Sequence, residues 1–322
     1  MTEPVAGERA AARVPLTIVT GFLGSGKTTL VNRILAGGHG LKVAVVVNDF
    51  GAISIDARLI VDRDATTITL DNGCICCSTS GDLVSRLTTL LEGPSPPEHV
   101  VVETSGVSDP GRVLVALRDP YLRGLARVDG VVALVDAAAV DDIPPQLEEL
   151  ARRQLAAADV IVLNKSDLVT PDRLDALRAR LTYPAARFVE AVRADVPLPI
   201  LLGLAGSEER AGAEGGGPAD HTQGLATWSW TSSRPLALDA VRRALATLPA
   251  GVFRAKGFLH VQEAPGARVV AHVVGRRVDI RPNGGWDESQ PRSELVLIGL
   301  AGSIDPSALR RRLAATVAGD AL

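Results

Sequence analysis

The sequence contains little lysine and little cysteine, and it has no long apolar run. Only four of its 34 basic residues are lysines, and its formal net charge is −3. This balance carries no basic excess that would favour nucleic acid or an anionic membrane surface as a partner. No apolar run approaches the roughly 20 residues that a helix needs to cross a bilayer. With 46% hydrophobic residues, the composition is that of a globular chain, and we expect neither nucleic acid nor membrane among its partners.

The beginning of the chain has no pattern of a secretion signal. Residues 1–14 lack an apolar segment, so we expect a short disordered tail and a cytoplasmic protein. A chain of 322 residues has room for about two domains. We place one at 15–205 and a smaller one at 226–318, joined by a linker at 206–225 that is rich in glycine, alanine and charge.

The segment that follows residue 20 has the pattern of a phosphate-binding P-loop. An apolar run leads into Gly21-x-x-x-x-Gly26-Lys27-Thr28. Small residues let backbone N–H groups close around a phosphate, and the positive end of the following helix points at it. Lys27 would reach the β- and γ-phosphates, and the Thr28 hydroxyl would complete the shell of a Mg²⁺ ion. The other predicted nucleotide contacts in this segment are Gly24, Ser25 and Thr29.

Around this motif the first domain alternates apolar runs with helical patterns. Strands that are apolar throughout suit a sheet buried on both faces, as in mostly parallel sheets. The fold class is therefore α/β, a doubly wound, mostly parallel P-loop NTPase sheet followed by a smaller α+β domain. The predicted strands are 16–20, 42–48, 66–70, 98–103, 128–136, 159–164 and 187–191, and the main predicted helices are 81–93, 144–158 and 170–181.

A second motif predicts which nucleotide is bound. An N-K-x-D tetrad begins at the end of the predicted strand 159–164, and it contains Asn164, Lys165 and Asp167. An ionised carboxylate only accepts hydrogen bonds, so Asp167 suits guanine, which offers two donors on its N1/N2 edge. Adenine would leave that charge unpaired. The tetrad therefore predicts GTP as the ligand.

A third motif concerns Mg²⁺ and hydrolysis. Glu103 ends an apolar strand, where P-loop proteins place a carboxylate that helps to hold the metal, and the Gly106 amide would face the γ-phosphate. Val107 follows, so the water-positioning Gln of many GTPases is missing there and intrinsic hydrolysis should be slow. Asp49 and Asp56 are the candidates for orienting water, and the predicted catalytic set is Lys27, Thr28, Glu103 and Asp56.

All three cysteines of the chain lie within four positions, at Cys74, Cys76 and Cys77. An odd cluster of this kind is not a disulfide framework. Neighbouring thiolates repel one another unless a cation holds them, and a bound metal lowers their pKa. Three thiolates predict a metal site with one open position, and their softness favours Zn²⁺, Cu⁺ or Co²⁺. Buried thiols acting as small hydrophobic residues, and redox thiols without metal, remain open alternatives.

Taken together, these motifs resemble the CobW family of P-loop GTPases, whose relatives include UreG and HypB. The resemblance spans roughly residues 15–318. It implies a GTPase that binds a transition metal, zinc before cobalt, and delivers it to a metal-requiring client protein. The segments that carry it are GFLGSGKTTL (21–30), NDFG (48–51), GCICC (73–77), ETSGVSDP (103–110), QLAAADVIVLNKSDLV (154–169), RAKGF (254–258) and SELVLIG (293–299).

The chain departs from the family pattern close to the cysteines. The family usually reads N-E-F-G-E, whereas this chain has Asp49 and Ala52, so an acidic metal ligand from that segment would have to be Asp49. An arginine that usually follows the cysteines is Ser80 here, and the linker holds only His221. The expected ligands are thus GTP, Mg²⁺ and Zn²⁺ (or Co²⁺). The sequence leaves open whether the chain forms a homodimer. A GTP-dependent regulator of a partner enzyme, or a metal sensor with structural GTP, are the alternative functions.

Overall fold

The structure, a computed structural model, describes residues 13–48, 66–69, 80–181, 183, 186–203, 225–286, 290–302 and 305–318. Its first unit is a seven-stranded sheet in the order β3-β2-β4-β1-β5-β6-β7, in which every pairing is parallel. The strands are β1 (Val14–Gly21), β2 (Val43–Asn48), β3 (Thr66–Thr69), β4 (His99–Thr104), β5 (Ala126–Asp136), β6 (Val160–Asn164) and β7 (Arg187–Ala191).

Helices cover both faces of this sheet. Successive side chains of a strand point to opposite faces. Val19 and Val101 accordingly share a core with α1, whereas their neighbours Ile18 and Val102 share another with α2. This two-sided burial explains why the strands are apolar throughout, and the predicted doubly wound α/β fold is confirmed. The helices are α1 (Lys27–Ala36), α2 (Ser80–Glu92), α3 (Pro110–Ala116), α4 (Leu122–Leu125), α5 (Pro145–Ala156), α6 (Pro171–Arg180) and α7 (Leu198–Leu202).

The predicted strands and the three main predicted helices of this unit agree with the structure to within two residues at each end. Helix α6 starts as its sequence predicts, since Thr170 accepts from the Arg173 amide at 3.3 Å and Pro171 occupies the first turn. Strand β1 begins at Val14, inside the predicted tail. Within the described ranges, no helix is long and apolar enough to cross a membrane.

The second unit is a five-stranded antiparallel sheet in the order β11-β10-β9-β12-β8. Leu245 of α8 and Leu313 of α9 belong to the same buried cluster as Ala271 and Leu297 of the sheet, so the predicted α+β character is confirmed. The elements are β8 (Leu225–Ser232), α8 (Leu238–Ala246), β9 (Val252–Leu259), β10 (Ala267–Val274), β11 (Arg277–Gly285), β12 (Ser293–Leu300) and α9 (Pro306–Ala314).

The sequence pattern predicts strands of the second domain around 226–232, 252–263, 267–275 and 293–299, but none at strand β11. This strand contains Pro282, Gly284 and Gly285 and has no fully buried residue, which is the composition of a loop. The strand forms at the edge of the sheet, where it pairs only with β10. An edge position tolerates proline because one side of the strand needs no ladder partner.

The two units meet at the amino-terminal ends of the parallel strands. Phe253 and Val274 of the second unit belong to the same buried cluster as Val132 and Leu201 of the first. A Cβ added at Gly130 of β5 would lie 3.0 Å from Cγ1 of Val274. The backbone of β5 therefore packs directly against the second sheet.

Charged side chains are buried at the same interface. Arg254 Nη1 lies 2.5 Å from one carboxylate oxygen of Asp129, and Arg127 Nη1 lies 2.5 Å from the other. Burial opposes ionisation of Asp129, but the two guanidinium groups hold its pKa well below the ordinary value. Arg254 also donates to the carbonyls of Ile200 and Leu201, at 2.5 and 2.7 Å. Removing one member of a buried pair typically costs about 3–5 kcal/mol, so this cluster fixes how the units sit together.

A buried histidine lies within the first unit, next to the helix Leu198–Leu202 that contacts Arg254. The Thr17 hydroxyl donates to the Leu201 carbonyl at 3.0 Å, so its oxygen accepts from His99 Nε2 at 2.9 Å. Because a hydroxyl has one proton, Nε2 is the protonated ring nitrogen. His99 Nδ1 has no hydrogen-bond partner among the described residues. Burial lowers the pKa of His99 to about 4, and the imidazole is therefore neutral at physiological pH.

We expect His99 to make folding sensitive to mild acid. The pKa of His99 rises from about 4 in the folded chain to roughly 6.5 in the unfolded chain, so stability present above pH 6.5 is lost as the pH falls towards 4. Urea unfolding followed between pH 7 and pH 4 should show wild type losing up to about 3 kcal/mol more than His99→Gln. His39→Gln, at a partly exposed position after α1, is the control and should follow wild type. If the stability of His99→Gln and that of wild type fell by the same amount between pH 7 and pH 4, the low pKa of His99 would be refuted.

Candidate functional site

The loop between β1 and α1 is shaped by three glycines with positive φ. These are Gly21 at 133°, Gly24 at 71° and Gly26 at 104°. A Cβ at Gly26 would lie 2.4 Å from Nδ2 of Asn164, so glycine is required there by contact as well as by conformation. Gly26 is also the N-cap of α1, and no side chain caps that helix. A helix that begins at a glycine without a side-chain cap presents backbone N–H groups of the kind that a phosphate site requires.

Two side chains of the loop fold back onto its own backbone. Ser25 Oγ donates to the Phe22 carbonyl at 2.8 Å, and Lys27 Nζ donates to the same carbonyl at 3.1 Å. Lys27 is only 7% exposed, so its ammonium group lies over the loop rather than in solvent. The predicted phosphate contacts are thereby grouped around one turn of chain.

The predicted Mg²⁺ residues are in direct contact. Thr28 Oγ1 donates to Oε1 of Glu103 at 3.0 Å. Glu103 is buried and pairs in register with Val19 of β1 and Val47 of β2. Three parallel strands thus hold this carboxylate beside the P-loop. A hydroxyl and a carboxylate are the hard oxygen ligands that Mg²⁺ prefers, so the residues present fit that ion.

Gly106 lies against the P-loop, as its predicted role requires. A Cβ there would lie 2.8 Å from the amide nitrogen of Leu23 and 2.9 Å from its Cα. The segment is held from the other side by Gln154 of α5, whose Nε2 donates to the carbonyls of Gly106 and Ser108 at 3.1 and 3.0 Å. The sequence reading assigned no role to Gln154. The signal of such a role in the sequence was that Gln154 is a single polar residue on the apolar face of a helix.

The Asn164 amide connects two loops. Its Nδ2 donates to the Ser25 carbonyl at 2.8 Å, and its Oδ1 accepts from the Ala194 amide at 2.7 Å. This brace between the P-loop and the loop after β7 was not foreseen from the sequence. Base recognition by the tetrad remains a prediction and depends on Asp167, whose side chain is exposed in the turn that follows β6.

Lys165 is held in place by a residue that the sequence reading did not consider. Its backbone is left-handed, with φ of 58°, and its ammonium group lies 2.5 Å from Oδ2 of Asp136 at the end of β5. Asp136 also accepts from the amides of Ala138 and Ala139. The ends of β5 and β6 are neighbours in the sheet, and this pairing positions the tetrad over the P-loop edge.

The predicted metal ligands Cys74, Cys76, Cys77 and Asp49 lie outside the described residues, and so does Asp56. Among the residues that the structure does describe, no cluster of His, Cys, Asp or Glu could hold a metal. Strands β2 and β3, which precede these segments, both end at the carboxyl edge of the sheet, where Val47 pairs with Thr69 and with Glu103.

Comparison with known proteins gives the chain a family. Residues 15–187 match the model of the CobW/HypB/UreG nucleotide-binding domain, and residues 225–317 match the cobalamin synthesis protein CobW C-terminal domain. The chain belongs to the CobW family. Its predicted family resemblance is confirmed over both units, and the P-loop described above lies in the family's nucleotide-binding domain.

Curated relatives cover nearly the whole chain. A zinc chaperone CobW from Sinorhizobium sp. is 32% identical over 95% of this chain and 98% of its own. The zinc chaperone YjiA of Escherichia coli is 32% identical over 89% of this chain and 94% of its own. The zinc-regulated GTPase metalloprotein activator 1 of Dictyostelium discoideum is 26% identical over 86% and 69%. The similarity to these proteins therefore extends over both units of this CobW-family chain.

We expect Gly106→Ala to weaken nucleotide binding without unfolding the chain. The added methyl group would press on the Leu23 backbone, and such overpacking costs about 1–3 kcal/mol, which corresponds to a loss of roughly five- to 150-fold in affinity if it falls on the nucleotide-bound state. Calorimetric titration with a non-hydrolysable GTP analogue measures the loss. Gly124→Ala is the matched control, because a Cβ there meets nothing within 4 Å. Equal affinities in the two variants would show that the contact relaxes at no cost to binding.

Proposed function

We propose that this CobW-family chain is a GTP-hydrolysing metallochaperone that binds Zn²⁺ and delivers it to a metal-requiring client protein. The observation that carries the nucleotide part is the hydrogen bond from Thr28 to Glu103 inside a P-loop whose helix has no side-chain cap. Support for the metal part comes from relatives named zinc chaperone and zinc-regulated GTPase metalloprotein activator.

In the nucleotide site, each residue acts on a different part of GTP. The amides that follow Gly26 bind phosphate oxygens, and Lys27 turns its ammonium group from the Phe22 carbonyl to the β- and γ-phosphates. Thr28 and Glu103 hold Mg²⁺, which when bound neutralises charge that develops on the phosphates. Asp167 accepts the two donors of the guanine edge.

We expect the intrinsic rate of GTP hydrolysis to be slow. Val107 occupies the position where many GTPases carry a water-orienting glutamine, so that function falls to another residue, for which Asp56 is our candidate. Gln154 holds the Gly106 carbonyl in place, and the Gly106 amide would face the γ-phosphate. A slow basal rate suits a protein whose turnover is coupled to handing over a cargo.

For the metal we propose Cys74, Cys76 and Cys77 as ligands, with Asp49 as an additional oxygen ligand. The segment with Asp49 follows β2, which lies beside β4 and its carboxylate Glu103, and the cysteine segment follows β3, which lies on the other side of β2. Binding of GTP and Mg²⁺ would order the chain after β2 and so alter the metal site, while hydrolysis would release it. Zinc is preferred over cobalt because the relatives are named for zinc.

We expect Asp167→Asn to reduce GTP affinity by about a hundredfold, because two charge-assisted hydrogen bonds are lost and the new amide group presents donors to the donors of guanine. Xanthine nucleotides carry a carbonyl in place of the 2-amino group and should bind the variant better than GTP. Competition against a labelled GTP analogue measures both. Asp172→Asn, an exposed carboxylate in the first turn of α6, is the control and should leave selectivity unchanged. Unchanged selectivity in Asp167→Asn would contradict guanine recognition by this tetrad.

We also expect metal and GTP affinities to depend on each other by the same factor, as linkage requires. Competition titration of the reduced protein with Zn²⁺ and with Co²⁺, with and without a non-hydrolysable GTP analogue and Mg²⁺, measures it. Cys76→Ser should lose the metal and the coupling while keeping GTP binding. Metal binding that ignores the nucleotide would disprove the gating step, and absence of metal binding would leave a GTPase with redox or structural thiols.

A further inference from the structure

A cavity of about 430 Å³ opens at the amino-terminal ends of β1 and β5, between the two units. It lies at the opposite end of these strands from the P-loop, which follows the carboxyl end of β1. Aliphatic side chains such as Leu16, Leu122 and Val128 form part of its lining. The charged lining residues are Arg13, Arg118, Arg123, Arg127, Arg277 and Asp279. Five guanidinium groups therefore surround one carboxylate.

Two of these arginines are already paired with carboxylates outside the lining. Arg127 contacts Asp129 at 2.5 Å, and Arg277 contacts Asp159 at 3.0 Å. The first pair lies within β5, and the second joins β11 to the first unit. An arginine on each of these two walls of the cavity is therefore held by an ion pair.

The remaining charge of the cavity is not balanced. Asp279 is shared between Arg13 and Arg281, at 3.9 and 3.8 Å. Arg118 and Arg123 are exposed and form no ion pair within the part of the chain that the structure describes. Burial lowers the pKa of Arg13 and the Asp279 carboxylate opposes that shift, while the neighbouring Arg127 and Arg123 lower the pKa further. The guanidinium groups thus repel one another and would be stabilised by an added anion.

We propose that this cavity binds a compact polyanion that carries phosphate or carboxylate groups and contacts both units. Planar guanidinium forks match both groups with paired hydrogen bonds. The volume lies within the range of about 300–1,000 Å³ that is usual for small-molecule sites, which favours a small ligand over a polypeptide. Val128, which is partly exposed, would contact the carbon skeleton of such a ligand.

The proposal does not depend on GTP or metal binding, because the cavity and the P-loop lie at opposite ends of β1. Its test uses the full chain kept saturated with GDP at a fixed free Mg²⁺ concentration, so that the P-loop does not capture the probe. Pyrophosphate and citrate are titrated separately by calorimetry at constant ionic strength. These two probes distinguish a phosphate site from a carboxylate site.

The test variant is Arg118→Ser with Arg123→Ser, and the control is Arg242→Ser with Arg310→Ser. The control removes the same charge from exposed positions on α8 and α9 that do not line the cavity. We expect one-to-one, saturable binding of at least one probe to wild type and control. The test variant should bind about tenfold or more weakly, since charge-assisted hydrogen bonds are lost.

Binding of pyrophosphate alone would assign phosphate as the ligand group, and binding of citrate alone would assign carboxylate. The single variant Arg118→Ser, with a smaller loss of affinity, covers the case in which the double variant does not fold. The proposal is overturned if neither probe binds saturably. It is equally overturned if test and control variants lose affinity to the same extent, because that result describes non-specific attraction to net charge.

Discussion

The nucleotide edge of this protein depends on one constraint, the parallel register of β1, β4, β5 and β6. Parallel strands end at the same edge of a sheet, so residues far apart in sequence meet there. Glu103 reaches Thr28, Asn164 reaches the Ser25 carbonyl, and Lys165 reaches Asp136 only because these strands lie side by side. The glycines of the P-loop permit the close approach, since a side chain at Gly26 would collide with the Asn164 amide.

The second unit is attached at the other end of the same strands. The buried pair of Arg254 with Asp129, and the packing of Phe253 into the first core, anchor it to the amino-terminal side of the sheet. Any influence of nucleotide on this unit must therefore travel along the strands or around the sheet. The segments after β2 and β3, which we propose to change with the nucleotide state, follow the opposite edge of the sheet.

Much of this could be predicted from the sequence, for identifiable reasons. Strands buried on both faces must be apolar throughout, and a phosphate loop needs glycine at fixed spacing, so both features are visible as local patterns. Strand β11 was missed because its proline and glycines are tolerated only at an edge. Gln154 and the Asn164 brace were missed because their partners are backbone groups dozens of residues away, and backbone groups leave no signature in a sequence.

By itself, the sequence determined the class of fold, the glycine-rich P-loop pattern, the strand-end carboxylate Glu103, the N-K-x-D tetrad and the family, because each rests on residue types at short spacing. The tertiary structure decided which side chains touch. In the folded chain Asp136 pairs with Lys165, and the buried Asp129 lies between two arginines. Five arginines line one cavity. Such contacts join residues through long loops of chain, and their geometry exists only once the strands have paired and the two units have docked.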